Sequence, residues 1–326
     1  MKKISIAIPI YNEEKNLEKC IISLNNEIQK LDITVKTYLC LNGCEDDSEN
    51  IAKKTKDLFP NLNIVIIKSE KGKLNAQEKI ISKINDNYPI IFMDSDIELK
   101  NNVIKIILDE LNNNKELIAV GAFPIAKKYQ GLNIWKIFLD RVLNIRSRFP
   151  QAEISKFDVT NHHKLAVDNP QSINTNPNHE SKSKVFFHGR LFVLKSKRYW
   201  NKPKKAGIVG DDSYLPDYII YNYGINRIRI RYDSIVYFIP HTSIINHYKA
   251  YKRIYFDLKN LEKNYPEFKE IRKKSQLTLD WDYINELRII DRIFFYIFST
   301  IRYLEKLIFN LTKEKCPEEL WYYKKK

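Results

Sequence analysis

Asp94-Ser95-Asp96 is the sharpest chemical feature of the chain, and it follows directly on the apolar run Ile90-Ile91-Phe92-Met93. Two carboxylates two residues apart at the end of a buried strand suit a hard divalent cation, Mg²⁺ or Mn²⁺. Such a cation takes one or two carboxylates and completes its shell with water and substrate phosphate oxygens. The plainer alternative is a capped turn in which Asp96 opens the next helix. Lys73 follows Gly72 at the start of a helical pattern. An ammonium there, helped by the helix N-terminus, suits a phosphate. Asp211 and Asp212 follow Gly210. Paired carboxylates split in pKa, which leaves one as a general base near neutral pH. The same pair also reads as the cap of the helix that follows.

Weaker candidates surround these. His241 and His247 are each either a third metal ligand or a surface histidine. His162-His163 reads as a solvated loop pair, and Cys40 as a buried strand thiol rather than a zinc ligand, since no second Cys/His pair follows Cys44.

The elements that must position these groups alternate in type. Residues 3–10, 35–41, 62–67, 90–93 and 117–121 read as strands. Residues 15–31, 46–58, 75–84 and 102–112 read as helices between them. In the first helix Leu17, Cys20, Ile21, Leu24, Ile28 and Leu31 recur at helical spacing. This order predicts a doubly wound, mostly parallel sheet flanked by helices. Ligands of such sheets sit beyond the carboxyl ends of the strands. Four polar segments fall there: Pro9 to Glu14, Asn42 to Asp46, Lys71 to Lys73, and Asp94 to Asp96. Residues 131–148 read as an amphipathic helix and 185–194 as a strand. Between them, 150–183 is a polar, turn-rich stretch with no periodicity.

Composition narrows the class. Only 4 cysteines in 326 residues exclude a disulfide scaffold and point to a reducing, cytosolic compartment. A net charge of +15 favours anionic partners without choosing among them. The absence of G-x-G-x-x-G and G-x-x-x-x-G-K-[ST] argues against Rossmann dinucleotide binding and Walker-type ATP hydrolysis. The first residues carry no signal-peptide pattern, and the most apolar stretch, 289–311, holds too many charges to span a bilayer.

Five segments together resemble family 2 glycosyltransferases of the GT-A fold. They are Ile6 to Glu14, Asn42-Gly43-Cys44-Glu45-Asp46, Gly72-Lys73-Leu74-Asn75-Ala76, Met93-Asp94-Ser95-Asp96, and Gly210-Asp211-Asp212-Ser213-Tyr214-Leu215. The resemblance covers about residues 3–255 and implies an inverting transfer of a sugar from a nucleotide-sugar donor. It implies that Pro9, Tyr11 and Glu13 line the nucleoside pocket, with Lys73 and Asp94 near base, ribose or phosphate. It implies that Asp96 holds the divalent metal on the diphosphate and that Asp212, with Asp211 beside it, deprotonates the acceptor hydroxyl. Leu41 stands where family members usually carry an acid, so Asn42 is the substitute partner for the base. The Q-x-x-R-W segment of processive synthases is absent.

The expected organisation is a nucleotide-sugar-binding half (1–125), an acceptor-binding half with the loop 150–183 (126–250), and a helical C-terminal extension (251–326). The acceptor class implied is a glycan or lipid-linked glycan. The basic, aromatic C-terminal helix packs on the catalytic domain by default; its alternative is a peripheral contact with the inner face of a membrane. Two other functions compete. A sugar nucleotidyltransferase would carry a Gly-rich basic loop after the first strand, where Tyr11-Asn12-Glu13-Glu14 stands instead. A basic nucleic-acid-binding protein is permitted by charge and aromatics, but no recognised binding motif occurs and no nucleic acid is expected.

Overall fold

A run of isoleucines at alternate positions opens the chain and fixes the centre of the sheet. In β1 (Lys3–Ile10), Ile4, Ile6, Ile8 and Ile10 point to one face and Ala7 to the other, and all are buried. The computed structural model describes residues 3–85, 87–128, 131–147, 153–155, 187–204, 210–241, 243–274, 277–279 and 281–311. Apart from 153–155, the stretch 150–183, with His162 and His163, lies outside the described residues.

The first half of the chain alternates strand and helix. After β1 come α1 (Leu17–Ile28), β2 (Thr34–Leu41), α2 (Ser48–Leu58), β3 (Ile64–Lys68), α3 (Lys73–Lys83), β4 (Ile90–Met93), β5 (Ile97–Leu99), α4 (Val103–Asn113) and β6 (Ala119–Ala126). Then follow α5 (Ile134–Ser147), β7 (Glu153–Ser155), β8 (Leu191–Leu194), α6 (Asp211–Tyr223), β9 (Ile228–Phe238), α7 (Ile244–Asn264), α8 (Lys269–Lys274), β10 (Leu277–Leu279), α9 (Trp281–Glu286) and α10 (Ile289–Leu311).

Eight strands form one sheet in the order β3-β2-β1-β4-β8-β6-β9-β5, and β7 pairs with β10 apart from it. The first four are mutually parallel. β8 runs antiparallel between β4 and β6, and β5 runs antiparallel to β9. Both faces are covered, as parallel strands require. On one face, Leu17, Cys20, Ile21 and Leu24 of α1 and Val103, Ile104 and Ile107 of α4 close over the β1 isoleucines. On the other, Ala76 and Ile80 of α3 and Leu215 and Ile219 of α6 close over Phe92 and Phe192.

One sequence alternative is overturned. Asp96 does not open a helix: β5 begins at the next residue and α4 only at Val103. The reason is pairing, since Ile97 to Leu99 take antiparallel partners in β9. Of the strand expected over 185–194, the structure shows Leu191–Leu194 as strand; Phe187 packs in the core against Phe192, and His188 to Arg190 turn into the cavity described next.

Candidate active site

A cavity of about 380 Å³ lies beyond the carboxyl ends of β1, β2 and β4. All nine residues singled out from sequence line it: Pro9, Tyr11, Glu13, Asn42, Lys73, Asp94, Asp96, Asp211 and Asp212. α3 and α6 aim their first turns at it, so Lys73 and the Asp211–Asp212 pair enter from helix N-termini.

Lys73 is the hub. Its Nζ lies 2.7 Å from Asp94 Oδ1 and 3.0 Å from Asp211 Oδ1, and it donates to the Gly189 carbonyl at 3.1 Å. Burial works against the ammonium. The carboxylates of Asp211, Asp94 and Asp212 outweigh it and hold the Lys73 pKa above the ordinary lysine range. Burial also pushes the Asp94 carboxyl above the usual carboxylate range. Lys73 opposes that rise, while Asp96 and Asp211 add to it.

The two aspartates of α6 part company. Asp211 is only 2% exposed, and its second oxygen accepts from Gln77 Nε2 at 2.6 Å. Asp212 is exposed to the cavity, with Oδ2 accepting the Gly189 N–H at 3.3 Å. Gly189 has to be glycine. A Cβ there would stand 2.6 Å from Asp211 Oδ1 and 3.2 Å from Lys73 Nζ.

Around β1 the side chains brace loops. Asn42 donates to the Ile10 carbonyl at 2.8 Å and accepts from Gly72 N–H at 3.4 Å, so its amide ties the β1 end to the loop before α3. Gly72 holds φ at +126°, a conformation that L side chains rarely adopt. Glu13 is buried at the entry to α1 and accepts from Asn16 Nδ2 at 2.7 Å. The Lys71 ammonium sits 4.9 Å from the centroid of the Tyr11 ring. Ser95 donates to the Pro9 carbonyl at 3.0 Å. Below them, burial first, and then Asp96, Glu13 and Asp94, drive the Cys20 thiol well above its ordinary range, so it is inert as a nucleophile.

Several lining residues escaped the sequence reading. Arg190 reaches 3.8 Å from Asp96 Oδ1 and stacks on the Phe238 ring at 3.8 Å. His188 and Gly189 stand beside it. α7 closes the far wall with Arg253 and Asp257, and Asp257 Oδ2 accepts the Gly210 N–H at 2.8 Å. No spacing signal marks these residues, because each depends on a long-range contact. Of the two candidate histidines, His241 lines the cavity, whereas His247 is buried against Glu305 of α10.

The wall is acidic in a basic protein: Glu13, Asp94, Asp96, Asp211, Asp212 and Asp257 face Lys73, Arg190 and Arg253. Among the described residues, no group of three or more His, Cys, Asp or Glu is arranged to hold a metal ion. The donor set nevertheless fits a partly coordinated divalent cation: carboxylate oxygens, an imidazole nearby, and surplus negative charge.

Comparison with known proteins agrees with this frame. The sequence model described as Glycosyl transferase family 2 matches residues 5–166. The chain is 31% identical over 123 residues to the minor teichoic acid biosynthesis protein GgaA of Bacillus subtilis (strain 168), covering 37% of this chain and 27% of that protein. It is 27% identical over 96 residues to glycosyltransferase AglE of Haloferax volcanii, covering 28% of this chain and 30% of that protein. The matches thus span less than a third of the length of these relatives. The fold is that of the mannosyltransferase PcManGT from Pyrobaculum calidifontis, solved with GDP-Man and Mn²⁺: TM-score 0.53 at 12% identity, covering 98% of this chain and 77% of that one. A sheet covered by helices on both faces with its cavity at the strand ends, and a family match that takes in the ends of β1, β2 and β4 and the start of α3 where they line that cavity, place the chain in glycosyl transferase family 2.

Proposed function

We propose that this protein transfers a sugar, with inversion, from a nucleotide-sugar donor to the hydroxyl of a glycan or lipid-linked glycan. The observation that carries the reading is the convergence of Lys73, Asp94, Asp96, Asp211 and Asp212 from separate elements on one cavity. The donor half (1–125) supplies Pro9, Tyr11, Glu13 and Asn42 for the nucleoside, and Lys73 and Asp94 for ribose and diphosphate. The acceptor half (126–250) supplies Asp212, and the extension from 251 closes the wall through α7.

Asp212 is the base because its carboxylate is exposed to the cavity while Asp211 is locked to Lys73 and Gln77. The acceptor O–H proton passes to Asp212. The acceptor oxygen attacks the anomeric carbon, and the bond from that carbon to the diphosphate oxygen breaks, its electron pair leaving with the nucleoside diphosphate. Asp211 holds Lys73, and Asp257 holds the Gly210 backbone that carries the pair. An anionic donor entering an acidic cavity needs compensation. A divalent cation held by Asp96, with Asp94 and His241 lining the same cavity, would neutralise the charge of the departing diphosphate. The B. subtilis relative is named for teichoic acid biosynthesis, which supports a cell-envelope polysaccharide as product. The proposed location is the cytoplasm, with the inner membrane face as the place of work.

Thermal stabilisation by UDP-, GDP-, CMP- and dTDP-sugars, with and without Mn²⁺, tests the reading, because a ligand of the folded state raises the midpoint. The expected result is a metal-dependent rise with one nucleotide that Asp96→Ala abolishes. No rise with any nucleotide, alongside a clear rise with nucleic acid, overturns it.

A further inference from the structure

α10 is folded inside out for a helix in water. Its inward side holds Asp291 and Glu305, both buried, together with Phe295, Phe298 and Phe309. An ion pair and a hydrogen bond seat it on its neighbours. Arg141 of α5 reaches Asp291 at 2.6 Å, and His247 of α7 reaches Glu305 at 3.0 Å. Arg302 adds a 2.9 Å bond to Glu305 and stacks on Tyr251 of α7.

The outward side carries Ile290, Ile293, Ile297, Leu304, Leu307 and Leu311 at steps of three, four or seven, hence on one face. Each is exposed, from 43% at Leu307 to 74% at Leu311. Ile289 and Ile308 widen the face, and Tyr296 and Tyr303 border it. The stripe runs about 32 Å along a helix of 23 residues. Exposed apolar surface of this extent and continuity marks an interaction site.

Charge selects the occupant. Both acids of α10 are buried and paired, so every charged side chain it leaves at the surface is a cation. Arg288, Arg292 and Lys306 follow one edge of the apolar face. A second copy of α10 would set like charges against each other with no exposed acid on the helix to pair them. An anionic lipid surface takes both the apolar face and its cationic edge. No helix among the described residues is long and apolar enough to cross a membrane, so the helix would lie in the interface plane.

We infer that α10 is an interfacial membrane helix, which docks the protein on an anionic bilayer with Ile290, Ile293, Ile297, Leu304, Leu307 and Leu311 in the acyl region. The inference deepens the transferase reading, on which its value for a lipid-linked acceptor rests. α7 joins the two sites: it meets α10 through His247, Tyr251 and Tyr255 and lines the cavity through Arg253 and Asp257. The bilayer surface would therefore lie one helix away from the base.

Vesicle co-sedimentation of the full chain tests this without donor or acceptor, so its failure and failure of the transferase reading are separate results. Binding is expected to vesicles containing phosphatidylglycerol and to be far weaker with phosphatidylcholine alone. The double variant Ile297→Asp/Leu304→Asp, whose positions are exposed, is expected to lower binding at least ~10-fold at an unchanged melting midpoint. Arg292→Gln/Lys306→Gln is expected to lower it roughly 30-fold on the anionic vesicles, at about tenfold or less per lost cation. Wild-type protein left in the supernatant with anionic vesicles at ~0.1 M salt overturns the inference. So does a dimer in light scattering that Ile297→Asp/Leu304→Asp converts to monomer, which assigns the stripe to a second copy.

Discussion

The charged side chains buried at the strand-end cavity and those buried beneath α10 serve different ends. At the cavity, Lys73 is held between Asp94 and Asp211, while Asp212 and Asp96 meet open space. Beneath α10, Asp291 and Glu305 are enclosed by Arg141, Arg288, His247 and Arg302. Both are networks of paired ions, and both shift pKa values. What separates them is access. One network borders a cavity of about 380 Å³, and the other fastens a helix whose apolar face looks outward. A perturbed charge is therefore a sign of chemistry only where a ligand can reach it.

The sharpest way to break this comparison is to remove charge from each network in turn. Asp212→Asn is expected to lower transfer about 10³-fold, within the range that general bases contribute, and to leave the melting midpoint in place. Steady-state transfer with a donor identified by thermal shift gives the first number. An equal loss of activity from Glu305→Gln would erase the distinction between the regions. Lys73→Met is expected to lower stability by about 3 kcal/mol, because it strands two carboxylates that share one cation. Urea unfolding reads this loss. A midpoint unchanged in Lys73→Met would show that Lys73 serves the ligand alone.

The two regions also differ in how far sequence exposes them. The donor side of the cavity is legible because its residues follow directly on apolar runs. Asp94 ends β4, Tyr11 follows β1 and Asn42 follows β2. The chain carries them to the cavity with no long-range information beyond strand order. Arg190, Gly189 and Asp257 are not legible, since each reaches the cavity through pairing of β8 beside β4 or packing of α7. The antiparallel insertion of β8 is hidden for the same reason. β9 is different: Ile228-Arg229-Ile230-Arg231 carries the period-2 signal of a strand, yet no motif draws attention to it. For α10 the apolar pattern is plain in sequence. Its orientation is not, because inward acids are what periodicity rules assign to solvent.

Glu305→Gln sharpens the other side of the comparison. It weakens a contact shared by His247 and Arg302, and is expected to cost about 1–2 kcal/mol. The loss should be local. Amides of α10 and the N-terminal half of α7 are expected to exchange faster, while those of β1 and β4 keep their protection. Faster exchange throughout the sheet would mean that α10 is part of the cooperative core rather than a fastened surface helix.

The smallest effects are in pH dependence, and here the networks have opposite signs. Burial raises the Asp94 pKa, so the folded state binds that proton more tightly than the unfolded chain does. Its contribution to stability is full below the unfolded value of about 3.9 and is lost as pH rises through the folded one. Burial also opposes ionisation of Asp291, but Arg141 and Arg288 prevail and lower its pKa. Its contribution is present above about 3.9 and is lost as pH falls through the depressed value. Acidification below about pH 5 should therefore reduce the midpoint advantage of wild type over Asp291→Asn and enlarge its advantage over Asp94→Asn. Lys73 gives the alkaline counterpart. Its raised pKa keeps the contribution full below the unfolded value of about 10.4 and removes it above. The gap between wild type and Lys73→Met should stay constant from pH 6 to 9 and narrow by about 1 kcal/mol near pH 11. A gap that held at pH 11 would mean that the two carboxylates do not favour the charged lysine, and the cavity network would then resemble the one under α10 only in appearance.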